Sequence, residues 1–352
     1  MFFVWHLRSG FVRRTDRLRA RLGARGAPTA VAAAAFLAAV GLPGAASAAV
    51  PRTAGVVVIN TNLSYANASA SGTGMVISGS GEVLTNNHVI RGATTISVVD
   101  PHSGRRYAAS VVGYALAADV AVLKLANTSG LSTVSLGNSA SLHRGQAVTA
   151  VGNAGGTGKL IPATGTIGAL GRSITVSDDS GGTERLHGLI LTDAPLQPGD
   201  SGGPLLDARG RVIGMDTAAS SGYGGQSGAQ EGYAIPIATA LTLAKAIEAG
   251  RGSASVHIGP TAFLGVLAEP SQYAGAPGAL VDDVVSGGPA DRAGVVQGDV
   301  ITRIDGRRVS STSAIVKLLQ AKHPGDTVRL AWVDDVGNSR SALVKLVSGP
   351  PQ

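Results

Sequence analysis

The stretch QPGDSGGPLLD, from Gln197 to Asp207, crowds three glycines and two prolines around one serine that follows an aspartate. A serine hydroxyl is a weak nucleophile at neutral pH, so a catalytic serine needs an exposed turn, a neighbouring base and donors for the oxyanion. Glycines permit the tight backbone of such a turn. The stretch therefore predicts a nucleophile turn centred on Ser201.

Two further motifs precede this turn and supply the partners that the chemistry requires. LTNNHVI contains His88, and AADVAVLKL contains Asp119. In this interpretation Ser201 attacks the scissile carbonyl, His88 takes its proton and returns it to the leaving amine, and Asp119 orients the imidazole. The backbone N–H groups of Gly199 and Ser201 face the developing oxyanion.

The words LTNNHV, DVAVLKL, TDAPLQPGDSGGPLLD and GYAIPI resemble the trypsin-fold serine proteases, and among them the HtrA/Deg branch, over most of residues 55–250. The resemblance implies two six-stranded β-barrels and a serine endopeptidase that uses no metal and no organic cofactor. Short β-branched runs between turn signals independently indicate a mainly β barrel or sandwich. These runs are VVVIN, GMVIS, TTISVV, VAVLKL, AVTAVG, SITVS, LILT and RVIGM.

Substrate preference is predicted from the same resemblance. In trypsin-fold proteases the position six before the nucleophile lies at the base of the specificity pocket, and here it is Pro195, which offers no carboxylate to a Lys or Arg side chain. Thr217, Ala218 and Ala219 would pair with the substrate backbone, and Tyr233 with the loop before it would line the pocket. We expect cleavage after small or medium aliphatic residues.

Residues 261–349 resemble a PDZ domain, an α+β unit, most clearly in GGPADRAGVVQGDVITRIDGRRV. Such domains add an extended peptide to a sheet edge and hold its C-terminal carboxylate with backbone amides. By resemblance Leu264, Gly265 and Val266 form the carboxylate loop, and Ile315 lines the groove, although an apolar helical face can equally be core. A helix is predicted over 311–321. The overall expectation is a trypsin-like double β-barrel over 49–250, a linker over 251–260, and this PDZ domain.

The net charge of +7 is concentrated near the N-terminus, where residues 1–27 hold seven arginines against one aspartate. An uncharged alanine-rich run and Ala-Ser-Ala follow, which is the order of a secretory signal. We expect a signal peptide over 1–48 and a secreted, periplasmic or cell-envelope protein. The competing interpretation is an uncleaved membrane anchor. Because the remainder is nearly neutral, a nucleic-acid partner is not expected.

Two other interpretations of Ser201 compete with the protease interpretation. GDSGG matches the G-x-S-x-G elbow of α/β hydrolases, but an elbow needs a following helix, and Pro204 with a strand-like RVIGM follows instead. A non-catalytic chaperone or peptide-binding protein that keeps the protease fold stays open as the alternative. The expected partners are unfolded polypeptides or exposed C-termini, and the oligomeric state is open. The chain has no cysteine, so disulfides are excluded.

Overall fold

The structure is a computed structural model that describes residues 53–128, 130–177, 183–220, 231–270 and 278–352. The predicted signal segment 1–48 and the predicted pocket loop over 221–230 lie outside the described residues. No helix within the described ranges has the length and apolarity needed to cross a membrane.

Six strands form a first closed barrel in the order β5-β4-β1-β2-β3-β6, which β6 closes by pairing with β5. Their apolar side chains, such as the fully buried Ile59, Val83 and Leu123, fill the interior. The short helix α1 (Asn87–Ile90) follows β3 directly. The strands are β1 (Val56–Leu63), β2 (Ala68–Val76), β3 (Glu82–Thr85), β4 (Thr95–Val99), β5 (Arg106–Ala115) and β6 (Val120–Leu125).

A second closed barrel has the order β10-β11-β12-β9-β8-β7. Helix α2 (Ile237–Glu248) then packs on β5, β6 and β11, so it joins the two barrels, and Gly250 ends it at φ +64°. One apolar core runs through both barrels and includes Leu84, Met215 and Ile247. The strands are β7 (Ala147–Gly152), β8 (Ile161–Ser177), β9 (Thr183–Thr192), β10 (Pro204–Leu206), β11 (Val212–Ser220) and β12 (Glu231–Pro236).

The segment predicted as a linker contains β13 (His257–Ile258), which pairs with β5 and so extends the first barrel sheet. His257 is buried, its ring lies 5.0 Å from that of Tyr114, and its nitrogens lie 3.2 Å from the carbonyl oxygens of Gln320 and Pro260. The segment is therefore folded onto the barrel rather than running free as a spacer.

Residues 261–349, which we call the second unit, form a sheet in the order β15-β16-β17-β19-β20, with β18 on β17 and a separate β14–β21 ribbon. Ile301, Leu330 and Trp332 lie in its core. Helix α4 spans 312–320, close to the prediction, because Ser311 caps it by accepting the Ala314 amide. The elements are β14 (Thr261–Phe263), β15 (Val266–Pro270), β16 (Ala279–Val284), α3 (Pro289–Arg292), β17 (Val300–Ile304), β18 (Arg307–Arg308), α4 (Thr312–Gln320), β19 (Thr327–Val333), β20 (Ser339–Lys345) and β21 (Val347–Gly349).

Residues 350–352, which we call the return segment, lie against the first barrel. The backbone N–H of Gly92 donates to the carbonyl of Pro351 at 2.8 Å, and the Asn87 side-chain amide donates to the carbonyl of Gln352 at 2.9 Å. The Gln352 amide donates in turn to the Tyr114 hydroxyl at 3.4 Å. These bonds connect the second unit to α1.

Candidate active site

His88 and Asp119 are brought together by the pairing of β3 with β6. Thr85 at the end of β3 lies opposite Ala121 near the start of β6, so the residues just beyond these ends are neighbours. The His88 ring Nδ1 lies 2.8 Å from Asp119 Oδ2, and the His88 backbone N–H donates to Oδ1 at 3.0 Å. Asp119 is 5% exposed and adopts φ +53°, a left-handed conformation that aspartate tolerates.

Thr217, in β11, links this pair to Ser201. Its hydroxyl donates to Asp119 Oδ2 at 2.5 Å, and its carbonyl accepts the Ser201 hydroxyl at 3.3 Å. The resemblance predicted for Thr217 only a contact with the substrate backbone. Its contact with Asp119 crosses from the second barrel to the first, and no local sequence pattern signals such a contact.

The turn around Ser201 has the backbone that the sequence predicted. Gly199 and Gly202 adopt φ +101° and +84°, and a Cβ on either would overlap a carbonyl oxygen, that of Asn153 or of Thr73. Glycine is therefore required twice. Among the residues that the structure describes, nothing accepts the amide N–H of Gly199 or of Ser201, so both donors are available to a bound group.

Thr73, in β2, anchors the turn and was missed by sequence reasoning. Its hydroxyl donates to the Gly199 carbonyl at 2.7 Å, and its backbone N–H donates to the Ser201 carbonyl at 2.9 Å. The same hydroxyl accepts a hydrogen bond from the backbone N–H of Asn153 at 2.9 Å. These bonds fix two carbonyls of the turn from the first barrel.

The predicted pocket residues take different positions. Pro195 is exposed, whereas Tyr233 is 7% exposed and belongs to the main core. The Tyr233 hydroxyl donates to Glu231 at 2.6 Å, and burial together with this bond raises the Tyr233 pKa to about 12. Ala218 and Ala219 pair with Tyr233 and Gly232 of β12. Because β10 pairs with β11 only as far as Met215, the Ala218–Ala219 stretch has its β10-side edge unpaired within the described chain.

Two further carboxyl groups lie next to the turn. Burial raises the pKa of Asp200 to about 6. The backbone N–H of Gln197, which donates to Asp200 Oδ2 at 2.8 Å, opposes this rise. Burial raises the pKa of Asp216 well above its usual value, and the negative charge of Asp200 adds to the rise. Neither residue is among the site residues predicted from the sequence.

In the second unit, β15 is an edge strand and α4 packs against it. Gly265 adopts φ +85° and its carbonyl accepts the Val285 amide at 3.0 Å, while the Leu264 carbonyl accepts the Ala290 amide at 2.9 Å. Leu264 and Ile315 are 1% and 7% exposed, so both contribute to the core of this unit. Val266, the first residue of β15, is half-buried.

No group of three or more His, Cys, Asp or Glu side chains within the described ranges is arranged to hold a metal ion.

Comparison with known proteins places both units. The family model described as trypsin-like peptidase domain matches residues 72–215, and that of the PDZ domain matches residues 262–338. The fold and these matches define a serine protease of the trypsin class that carries a PDZ domain.

Serine protease PepD of Mycobacterium tuberculosis is 33% identical over 348 residues, covering 93% of this chain and 72% of that protein. The probable periplasmic serine endoprotease DegP-like of Chlamydia trachomatis is 38% identical, covering 74% of this chain and 51% of the relative. The solved structure of the HtrA-type protease AlgW with tripeptide is 31% identical, covers 85% of this chain and 95% of that chain, and has a TM-score of 0.49.

The chain belongs to the serine protease family of PepD and the DegP-like proteins. It spans about half the length of its DegP-like relatives. The predictions of family, fold class and enzyme class are thereby confirmed.

Proposed function

We propose that this protein is an exported serine endopeptidase that hydrolyses unfolded or misfolded polypeptides through His88, Asp119 and Ser201. The observation that carries the proposal is the 2.8 Å contact between His88 and Asp119, joined through Thr217 to the Ser201 hydroxyl. The protease part is proposed to span 49–250 and the PDZ domain 261–349.

Each side chain has one task in this mechanism. Asp119 accepts a hydrogen bond from the Nδ1–H of His88, which leaves Nε2 free of a proton, so Nε2 can take the proton of Ser201 as the hydroxyl attacks the scissile carbonyl. Asp119 then stabilises the imidazolium, and His88 gives the proton to the leaving amine. The acyl group stays bound to Ser201 as an ester until water attacks it: His88 takes a proton from the water, the ester bond breaks, and His88 returns the proton to the Ser201 oxygen as the carboxylic acid product leaves.

We propose that the oxyanion of each tetrahedral intermediate accepts hydrogen bonds from the backbone N–H groups of Gly199 and Ser201. Both N–H groups lack an acceptor within the described chain, and Thr73 fixes the carbonyls of these same two residues. Preorganised donors stabilise a developing charge because they need no reorientation during the reaction.

Substrate is proposed to bind as an added strand on the unpaired edge of β11 at Ala218 and Ala219, which follow Thr217. Pro195 is exposed and offers no charge, which agrees with a preference for small or aliphatic residues. Tyr233 contributes mainly by packing behind this strand, since it is almost wholly buried.

An organophosphonate probe tests the catalytic role directly. We expect an adduct on Ser201, mapped by mass spectrometry, together with cleavage of casein. Ser201→Ala and His88→Ala remove both signals. His187→Ala is the matched control, because His187 is exposed and the hydrogen bond described for its ring is to the Ser173 hydroxyl. The probe should label Ser201 of this variant normally. Failure to label Ser201, even with substrate peptide present, would favour the non-catalytic peptide-binding alternative.

We also propose that the PDZ domain recruits extended peptides or exposed C-termini. Its β15 edge can accept an added strand, and the loop Leu264–Val266 is pinned through its carbonyls. The full chain carrying Ser201→Ala should bind a labelled peptide with a free C-terminal carboxylate at least tenfold more tightly than the same peptide amidated. Equal binding of the two peptides would remove the carboxylate-capture role.

Export is proposed from the predicted signal over 1–48 and from relatives that are named periplasmic. N-terminal sequencing of exported protein should find a start at Ala49. An intact N-terminus in the membrane fraction would instead support the anchor.

A further inference from the structure

Two buried acids lie on either side of the contact between Ser201 and Thr217. Asp200 precedes Ser201 and is 3% exposed, while Asp216 precedes Thr217 and is fully buried. Two backbone hydrogen bonds join the same segments, from the Gly202 amide to the Asp216 carbonyl and from the Asp216 amide to the Gly203 carbonyl, both at 2.8 Å. The acids therefore lie where the nucleophile turn meets β11.

The carboxyl oxygens of this pair are short of donors. Asp200 Oδ2 accepts the Gln197 amide, but Asp200 Oδ1 and both oxygens of Asp216 have no hydrogen-bond donor in the part of the chain that the structure describes. A carboxylate without donors is strongly disfavoured in a dry interior, where the group keeps its proton instead. The negative charge of Asp200 also raises the pKa of Asp216, so ionisation of one acid opposes ionisation of the other.

The surrounding strands supply no compensating cation. Strands β2, β7 and β10 contain no titratable side chain, and β11 contains only Asp216. Each of two further strands has one acid. Glu231 on β12 accepts a hydrogen bond from the Tyr233 hydroxyl, and Glu82 on β3 forms an ion pair with Lys124 at 2.6 Å. Thr217 also links this site to the His88–Asp119 pair. Neither acid has a cationic hydrogen-bond partner in the described chain, so a bound proton can neutralise one of them.

We propose that Asp200 and Asp216 share one proton at neutral pH, in a carboxyl–carboxylate hydrogen bond that holds the nucleophile turn against β11 and so positions Ser201. Asp216, the more deeply buried acid, carries the proton. Its carboxyl O–H donates a hydrogen bond to Asp200 Oδ1, which is the acceptor without another donor. The Gln197 amide stabilises the remaining negative charge on Asp200. This inference rests on the proposed role of Ser201, and both acids act as positioning residues.

The pair is tightly enclosed, which supports a specific contact rather than a water-filled gap. A Cβ on Gly152 of β7 would lie 2.5 Å from Asp200 Oδ1 and 2.6 Å from the Asp200 Cα. Glycine at 152 therefore gives the Asp200 side chain its space. The pKa of Asp200, about 6, is consistent with a singly protonated pair near neutrality.

Infrared spectroscopy of the whole protein at neutral pH tests the shared proton without relying on activity. We expect the C=O stretch of a protonated carboxyl group, and we expect Asp216→Asn to remove it. Asp299→Asn is the matched control, because Asp299 is a buried acid of the second unit that also has one oxygen without a donor. Absence of the band in the wild type, or its survival in Asp216→Asn with loss in Asp299→Asn, would overturn the proposal.

Labelling of Ser201 by the phosphonate probe tests the positioning role. Asp216→Ala leaves Asp200 as a buried charge without its donor, and we expect labelling to slow at least tenfold. Asp216→Asn keeps a donor of the same shape and should rescue labelling at neutral pH. Wild-type labelling by a folded Asp216→Ala variant would overturn the positioning role. If the wild type shows the infrared band but never labels, the proposed protease function fails while the shared proton stands.

Discussion

Two carboxyl groups at the barrel junction, those of Asp119 and Asp216, have opposite surroundings. Asp119 accepts hydrogen bonds from the ring Nδ1 and the backbone N–H of His88 and from the Thr217 hydroxyl. Asp216 is equally buried, yet neither of its oxygens meets a donor in the described chain. Because a carboxylate is stabilised by the donors it accepts, the first surroundings suit an ionised acid and the second a protonated one. The two acids therefore differ in the donors that surround them, although contacts through Thr217 and the nucleophile turn connect them.

Removing the charge that the first site is built for should have the largest effect. Asp119→Asn cannot stabilise the imidazolium and favours the wrong tautomer of His88, so kcat/KM for a peptide substrate should fall about 10⁴-fold. Asp216→Asn is the comparison at the second site, where a neutral side chain is expected to be tolerated. If both variants lost activity equally, the proposed difference between the two acids would be wrong.

Distorting the turn between the two sites should have the next largest effect. Gly199→Ala places a methyl group against the Asn153 carbonyl at a positive φ, which moves one oxyanion donor. Loss of one such donor typically lowers kcat about 10²–10³-fold. Gly188→Ala is the control, because Gly188 has a similar positive φ of +72° but open space around it. Equal losses in both variants would point to backbone strain rather than to the turn.

The second site should also make stability depend on pH. The folded pKa of Asp200, about 6, lies above its ordinary value of 3.8, so this group stabilises the folded state fully below pH 4. The contribution is lost as pH rises through 6, and a shift of this size corresponds to at most about 3 kcal/mol. Denaturant unfolding from pH 4 to 7 should therefore show declining stability in the wild type.

Asp200→Asn should flatten this decline, because its amide has no proton to lose. Asp299→Asn, in the second unit, serves as the control and should keep the part of the decline that depends on Asp200. An unchanged pH slope in Asp200→Asn would show that its carboxyl group is already ionised at pH 4.

Local sequence motifs predicted the family and many of the strands, but they did not predict the contacts between the two barrels. Each of the eight β-branched runs lies in a strand or overlaps one, and HtrA-type motifs led to the family, because these signals lie within a few residues of one another. Strands β3, β5, β10 and β12 were not among the predicted runs; β3 and β10 are short, but β5 has ten residues. Thr73, Thr217 and Asp216 act through partners distant in sequence, and single-chain periodicity carries no information about such partners. The strand within the predicted linker was missed for the same reason.

The smallest effect is expected at the link between the second unit and the first site. Helix α1 carries His88, and Asn87 beside it donates to the Gln352 carbonyl of the return segment. Asn87→Ala removes this bond, but it also removes a buried Asn87 Oδ1 that has no donor within the described chain, so the two effects partly cancel. We expect a loss of at most about 1 kcal/mol in unfolding free energy, measured by urea denaturation. Asn87→Asp is the informative comparison: it adds a buried charge in place of the donor, so it should destabilise more than alanine does. A smaller loss in Asn87→Asp than in Asn87→Ala would mean that the return segment does not accept a hydrogen bond from this position.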